Sequence, residues 1–520
     1  MKLAVLSSDV LSSEPVVMMN ADDCLELGVG PDDRVRIAGG SSTVSTVVIS
    51  SDSLVQKGTI RMPSHVLKRC SAVDGETVDV SYSPMPGSIR SVKRKIDGGR
   101  LDRDAMDSIV ADIMAENLSD KEILAFVSAF NVNNSDLEEV AYLTRAMAAT
   151  GVSVDLGVRP VFDFHSLGGV HGNKITPIVV SIVASEGLTI PKLSSRAVSS
   201  ACGTSDLVDV FCDVELDPPS LKSAVLETGG VFACGNDDYA PVGRVIIKAE
   251  RPLGIDPRPT MMASIMSKKV SLGTTHLLVD IPFGAGSKIE DVKSARKIAE
   301  ALIDLGTILG IHVECAATRA DQPIGTAIGP VLEAKECIEA LENRDGDPSV
   351  IDKACGMAGI ILEMAGEKDG RRRAEEIFRS GRAHSKFLEI VKAQNGDPGL
   401  SSKDLKPGAY VKDVHAKRDG MVQMVDNPSI VAIAKGAGAP ADIGAGIALL
   451  HKRGDRVEEG DVLFRIYAEN QGKLDRAVES ARSRRPMLVS EDPAEPQPAG
   501  MIAERIPSKE MLDLIRFRHS

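Results

Sequence analysis

The chain has 520 residues, 43% hydrophobic and 26% charged, and its net charge is −13. That is the composition of an ordinary globular chain with sizeable cores in roughly three or four domains. The acidic balance excludes a general duplex-binding surface, and with no Trp, five Tyr and eleven Phe the chain is poor in stacking platforms for single strands, so no nucleic-acid partner is expected.

The eight cysteines include no Cys-x-x-Cys pair, so neither a zinc site nor a disulfide framework is expected, and no metal. The opening MKLAVLSSDV lacks the apolar length of a signal peptide, and the longest apolar run, PIVVSIVA from Pro177, is too short to span a bilayer. The expectation is a soluble, cytoplasmic protein with no membrane partner.

Taken in chain order, residues 1–84 are expected to form an N-terminal β-barrel domain. LELGVGPDDRVRI, STVSTVVIS and ETVDVSY are β-rich and separated by Gly, Pro and Asp turns. This stretch holds no cluster of catalytic residue types, which points to a structural or assembly role, and SPMPGS at 83–88 is a linker. Residues 85–155 are expected to be a helical domain, with about 240–271 as a discontinuous part. SDKEILAFVSAF carries a capping box in Ser119 and Glu122, and SDLEEVAYL repeats it with Ser135 and Glu138. The short basic clusters Lys93-Arg94-Lys95 and Arg371-Arg372-Arg373 are expected to be solvated faces or packing sites.

From 156 to 404 strands and helices alternate, giving a central α/β domain with binding loops after its strands. RPVFDF, LTIP, HLLVDIP and IHVECAAT are the strands, and KIEDVKSARKIAEALIDLGTILG is a helix closed by Gly310. Residues 405–520 are expected to be a C-terminal α+β domain of barrel-sandwich type. GIALLHKRGDRVEEGDVLFRIYAE supplies two of its strands, without the Met-Lys or Asp-Lys tip of lipoyl and biotinyl modules. EDPAEPQPAG is a loose connection before a terminal helix in SKEMLDLIRFR.

Four segments carry chemistry. In VFDFHSLGGVHGNK a strand ends at His165-Ser166, passes Gly168-Gly169 and meets a helix opened by Thr176-Pro177. Bare backbone N–H groups before a helix accept anions, although glycines there also serve a tight turn. KLSSRAVSSACGTSD gathers hydroxyls around Arg196 and Gly203, either a phosphate-binding set or a Ser-rich surface loop. RPLGIDPRPTMMASIMSKK places Asp256 before a helix beginning at Pro257, which an aspartate there also caps, and on which Ser264 and Lys268 share a face. DIPFGAGSKI ends another strand in a glycine turn with Lys288.

These segments, in this order, resemble the thymidine/pyrimidine-nucleoside phosphorylase family, most closely its AMP (nucleoside monophosphate) phosphorylase branch. The family's His-Ser-x-Gly-Gly-Val loop is similar to His165–Val170, its Ser-x-Arg…Gly-Thr-x-Asp signature to SSRAVSSACGTSD, and its Ala-Ser-Ile-x-Ser-Lys-Lys helix to Ala263–Lys269. ADQPIGTAIGPVLE at 320–333 resembles the family's downstream segment. The likeness runs from about 90 to 500, and the N-terminal barrel, which resembles a double-psi barrel, points to the AMP branch.

The resemblance implies phosphorolysis: inorganic phosphate displaces the base from a nucleoside 5′-monophosphate, AMP giving adenine and ribose 1,5-bisphosphate, with CMP and UMP as further substrates. It places Ser166, Gly168, Gly169, Ser195, Arg196, Ala197, Val198, Ser199, Ser200 and Thr204 along the nucleotide and phosphate pocket. Ser166, Ser195 and Thr204 are its candidates for inorganic phosphate, and Ser264 and Lys268 stand at base-contacting positions. Lys288 is a candidate for the 5′-phosphate or the base, and Asp256 is the general acid that protonates the departing base. No cofactor is implied beyond the phosphate co-substrate, and a homodimer or larger homo-oligomer is expected.

Two departures stand out. Phe164 occupies the place of a lysine in pyrimidine-specific members, so either its charge comes from elsewhere, with Lys174 and Arg196 as the candidates, or phosphate affinity is lower. Ala249 replaces an arginine, with Arg251 out of register, which disfavours a thymine-reading contact. The competing readings are a uridine or thymidine phosphorylase, an anthranilate-type phosphoribosyltransferase, whose aspartate-rich magnesium site is not found here, and a non-catalytic assembly or adaptor protein.

Overall fold

A computed structural model describes residues 1–9, 15–40, 42–51, 53–133, 135–197, 200–235, 238–250, 253, 257–494 and 499–508. The chain divides into two units, Met1–Thr150 with Pro241–Ser264, and Gly151–Ala240 with Ile265–Ser520. The division falls inside one helix, Arg258–Ser271.

In the first unit, six strands close into a barrel in the order Lys2–Ser8, Thr59–Pro63, Val16–Met19, Ser42–Ser50, Arg34–Gly39, Thr77–Tyr82. Two neighbouring pairs are parallel, Lys2–Ser8 with Thr59–Pro63 and Val16–Met19 with Ser42–Ser50. Period-2 alternation turns Leu3, Val5, Val17, Met19, Val35, Ile37, Ile60, Met62, Val78 and Val80 into the barrel core. LELGVGPDDRVRI is not a strand throughout. Leu25–Leu27 ends a helix, Ala21–Leu27, because the Asn20 side chain accepts from the Asp22 N–H at its start and Gly28 closes it in the left-handed conformation. The strand begins only at Arg34.

Helices Ser88–Ile96, Arg103–Met114, Asp120–Val132, Leu137–Ala149 and Val242–Glu250 follow the barrel. The Ser119–Glu122 capping box forms as expected. The second box is shifted by one residue, to Asp136 and Glu139, because Ser135 Oγ donates instead to the Phe130 carbonyl. Lys95 is a packing site: its ammonium lies 2.9 Å from both Glu139 oxygens in the helical core. Arg34 joins barrel to helices, pairing with Glu122 and donating to the Asn117 carbonyl.

The second unit is built on a sheet of order Ile502–Ile506, His312–Arg319, His276–Phe283, Phe162–Ser166. The last three run parallel and Ile502–Ile506 lies antiparallel at the edge. A parallel bridge between Val161 and Thr189 continues the layer to a parallel pair, Ile190–Ser194 and Gly230–Cys234. The LTIP strand thus sits later than expected, its ladder running on through Lys192 to Ser194. One face is a core of Phe162, Phe164, Ile178, Val179, Leu278 and Phe387, under helices that include Thr176–Ser185, Pro348–Met364 and Arg382–Ala393. A separate core gathers Leu193, Leu221, Val231, Ala233, Tyr239 and Leu272.

Beyond residue 405 lie two smaller sheets with helices Asn427–Ala437 and Gln471–Arg484. They exchange strands with the parallel layer. Ala327–Ile328 pairs with Gly446–Leu449 in one small sheet, while Ile502–Ile506 returns to pair with His312–Arg319. Arg505 fixes the return, its Nε donating to Glu314 at 2.8 Å, and Arg296 donates to Glu504. The terminal helix expected in SKEMLDLIRFR lies, apart from Ser508, outside the described residues. Among the described residues no helix is long and apolar enough to cross a membrane.

Candidate functional site

The glycine turn after strand Phe162–Ser166 is a backbone device. Gly168 and Gly169 have φ of +74° and +84°, the left-handed region that costs a residue with a Cβ. A Cβ on Gly169 would stand 2.8 Å from the Lys288 backbone nitrogen, whereas one on Gly168 would meet nothing within 4 Å. The structure therefore brings Gly169 and Lys288 together, with the Lys288 side chain exposed. Gly169→Ala is expected to cost more than Gly168→Ala, which bears only the conformational penalty of about 1–2 kcal/mol; urea unfolding of the two variants measures the difference. Ser166 Oγ accepts from the Gly168 N–H at 3.4 Å and from Asn173 Nδ2 at 3.3 Å.

The hydroxyl-rich loop between strand Ile190–Ser194 and helix Thr204–Val208 is folded by a carboxylate. Asp206 Oδ2 accepts from the Ala197 and Gly203 N–H groups at 2.7 and 2.8 Å. Gly203 is required by the same closure, since its Cβ would lie 2.5 Å from Ala197 N. Ser195 is exposed and its carbonyl accepts from Ser205 N, Ser200 Oγ donates to the Cys202 carbonyl, and Thr204 is half-buried. Val198 and Ser199 lie outside the described residues, as does Asp256.

Both candidates for the charge missing at Phe164 are engaged in ion pairs. Arg196 is held by Asp209 at 2.8 Å, Glu215 at 3.1 Å and Asp206 at 3.5 Å. Lys174 is fully buried, 2.7 Å from Glu336 and donating to the Ile324 carbonyl at 2.8 Å. Both cations already face carboxylates, which reduces the field that either offers to a second anion.

Beneath the turn lies a charged floor that spacing did not disclose. Asp280 and Lys353, both fully buried, pair at 2.8 Å. The other Asp280 oxygen accepts from Thr318 Oγ1 at 2.5 Å, and Asn173 Nδ2 spans Asp280 and Ser166 at 3.3 Å each. Asp163 pairs with Lys269 at 2.7 Å, again fully buried. The aliphatic stem of Lys268 passes Gly235, where a Cβ would stand 3.3 Å from both Lys268 Cδ and the Ser194 carbonyl. Burial, then the charge of Lys269, pulls the Lys268 ammonium below its ordinary range. Burial, reinforced by Lys269, Lys192 and Lys268, holds His165 well below its ordinary range, so the imidazole is neutral. Ser264, on the same helix as Lys268, is half-buried, its Oγ 3.4 Å from where a Cβ on Gly243 would be.

Sequence reasoning passed over Asn173, Lys192, Asp280 and Lys353. For Lys192 a signal existed, a lysine at an inward position of the apolar strand IPKLS. For the others the partner lies far along the chain and no local pattern announces it.

By sequence, residues 90–151 match the glycosyl transferase family helical bundle domain, 158–384 its a/b domain, and 421–487 the pyrimidine nucleoside phosphorylase C-terminal domain. The chain is 43% identical to the AMP phosphorylase of Thermococcus kodakarensis, covering 97% of this chain and 99% of that protein. It is 41% identical to that of Methanococcoides burtonii over 98% and 99%, and 44% identical to that of Natronomonas pharaonis over 92% and 96%. Anthranilate phosphoribosyltransferase from Thermus thermophilus has a similar fold, with a TM-score of 0.50 and 19% identity, over 59% of this chain and 99% of that one.

Proposed function

The chain belongs to the AMP phosphorylase family, and we propose that it is a pentosyltransferase that splits AMP with inorganic phosphate, giving adenine and ribose 1,5-bisphosphate, with CMP and UMP as further substrates. The observation that carries this reading is the near full-length likeness to AMP phosphorylases combined with an intact Gly168–Gly169 turn packed on the backbone of Lys288. Oxyanions need bare amides and hydroxyls more than many charges, and these turns supply them.

The division of labour we assign is as follows. Ser166, Ser195 and Thr204, with the amides of Gly168, Gly169 and residues 195–200, hold phosphate groups. Ser264 and Lys268 read the base, Lys288 holds the ribose 5′-phosphate or the base, and Asp256 gives its proton to the base as the glycosidic bond breaks. Arg196 serves the loop's shape rather than the ligand, given its three carboxylate partners. Phosphate enters as co-substrate and no other cofactor is assigned.

We further assign four domains, 1–84, 85–155 with 240–271, 156–404 and 405–520, a double-psi topology to the barrel, a homo-oligomeric assembly, and a cytoplasmic location with no nucleic-acid or membrane partner. Support for the double-psi assignment is the closed six-stranded barrel with two parallel pairs. Incubation with AMP and radiolabelled phosphate is expected to place label on the sugar and release adenine. A second reading, pyrimidine nucleoside phosphorolysis, is favoured by the match at 421–487. Uridine in the same assay separates the two, and release of uracil without release of adenine would overturn AMP as the substrate.

A further inference from the structure

Lys192 is buried, with 4% of its surface exposed, on strand Ile190–Ser194. Its Nζ donates to the Leu193 carbonyl at 2.6 Å and lies 5.8 Å from the centre of the Phe164 ring. Neither contact neutralises a charge. A parallel bridge joins Val161 to Thr189 at the start of the two strands, and the contact with Phe164 sets the Lys192 ammonium beside strand Phe162–Ser166, two residues before its end at Ser166. The ammonium therefore stands one pleat below the strand ends where the hydroxyls of the glycine turn begin.

The surroundings of Lys192 are unbalanced. Lys268 and Lys269 both raise the local positive potential, and the opposing field at Lys192 comes from Asp163, which already pairs with Lys269 at 2.7 Å. Lys192 and Lys269 thus share one carboxylate, with Lys268 adding further positive charge, beside the buried imidazole of His165. Burial first, then Lys269 and Lys268, brings the Lys192 ammonium down to about 7. Buried positive charge in excess is costly until an anion completes it. A phosphate dianion supplies the missing negative charge, and its oxygens suit the adjoining hydroxyls and amides.

We propose that Lys192 is a phosphate-binding residue, the cation that holds the inorganic phosphate co-substrate at the ends of strands Phe162–Ser166 and Ile190–Ser194. This rests on the phosphorolysis reading, and it explains how a chain with Phe164 in place of a lysine keeps a charged phosphate site: the cation is delivered from the neighbouring strand.

Calorimetric titration of the full chain with inorganic phosphate alone and with AMP alone tests it. Lys192→Met is expected to weaken inorganic phosphate at least tenfold and to leave AMP within about twofold, Lys192→Arg to keep most of the phosphate affinity, and Phe164→Lys on the Lys192→Met background to restore part of it. Should Lys192→Met not fold, judged by near-UV circular dichroism, Lys192→Gln takes its place. Unchanged phosphate affinity in the folded neutral variant overturns the proposal. Loss of AMP affinity with phosphate unaffected overturns it too, assigning the lysine to the nucleotide's own phosphate. A wild-type chain that binds phosphate but releases no adenine from AMP would defeat the phosphorolysis reading and leave Lys192 to be judged on the titration alone.

Discussion

Asp256→Asn is expected to slow AMP phosphorolysis by 10²–10⁴-fold, about 3–5 kcal/mol of barrier, while AMP binds within a few-fold of wild type. The amide keeps the size and much of the hydrogen bonding of the carboxyl group but has no acidic proton to give. Adenine is a poor anionic leaving group, so the bond to the anomeric carbon breaks readily only if a ring nitrogen is protonated as it departs. A carboxyl group in this role must hold its proton near neutrality, and desolvation and a nearby phosphate anion both favour that. The alternative role is local. The following helix begins by Arg258, and an aspartate placed just before a helix also serves as its cap. Single-turnover rates beside calorimetric AMP affinities separate the two. A parallel fall in rate, affinity and unfolding midpoint would leave the residue a structural task alone.

Lys353→Met is expected to destabilise the chain by about 3–5 kcal/mol in urea unfolding, because it strands the Asp280 carboxylate in a fully buried position. Replacing both partners, Lys353→Met with Asp280→Leu, is expected to cost less than the sum of the single changes, since two apolar groups need no counter-charge. Turnover should not recover with stability in the double variant. Asp280 also holds Asn173, and Asn173 donates to Ser166, so the apolar replacement leaves the turn hydroxyl without its support. Additive stability losses would show that the two groups do not sense one another.

What was legible beforehand follows from how local the cause is. The strands in STVSTVVIS and ETVDVSY, the Ser119–Glu122 cap and the helix end at Gly310 are each written within a few neighbouring residues, and each is found where expected. The misreadings are also local but closely contested. Asn20 and Gly28 turn an apparent β segment into a short helix, and Asp136 outcompetes Ser135 as cap because the serine hydroxyl finds the Phe130 carbonyl. The glycine turn and its partner loops were visible as residue types in a recognisable order. The electrostatics beneath them were not: Lys174 with Glu336, Arg196 with Asp209 and Glu215, and Lys353 with Asp280 are pairings made by the tertiary fold. Net charge available to a ligand is what remains after such pairings, and spacing along a chain does not count them.

The strand exchange near the end of the chain has a bearing on biogenesis. A nascent polypeptide emerging from the ribosome presents His312–Arg319 long before Ile502–Ile506 has been translated, so its hydrogen-bonding edge stays uncovered while nearly two hundred further residues are added, roughly 10–40 s at ordinary elongation rates. During that interval the edge is open to pairing with other chains. A premature stop between 320 and 500 would make this exposure permanent, so such fragments should accumulate as aggregates rather than as a trimmed enzyme, and the segment beyond 405 cannot be exchanged as a cassette without taking the closing strand along.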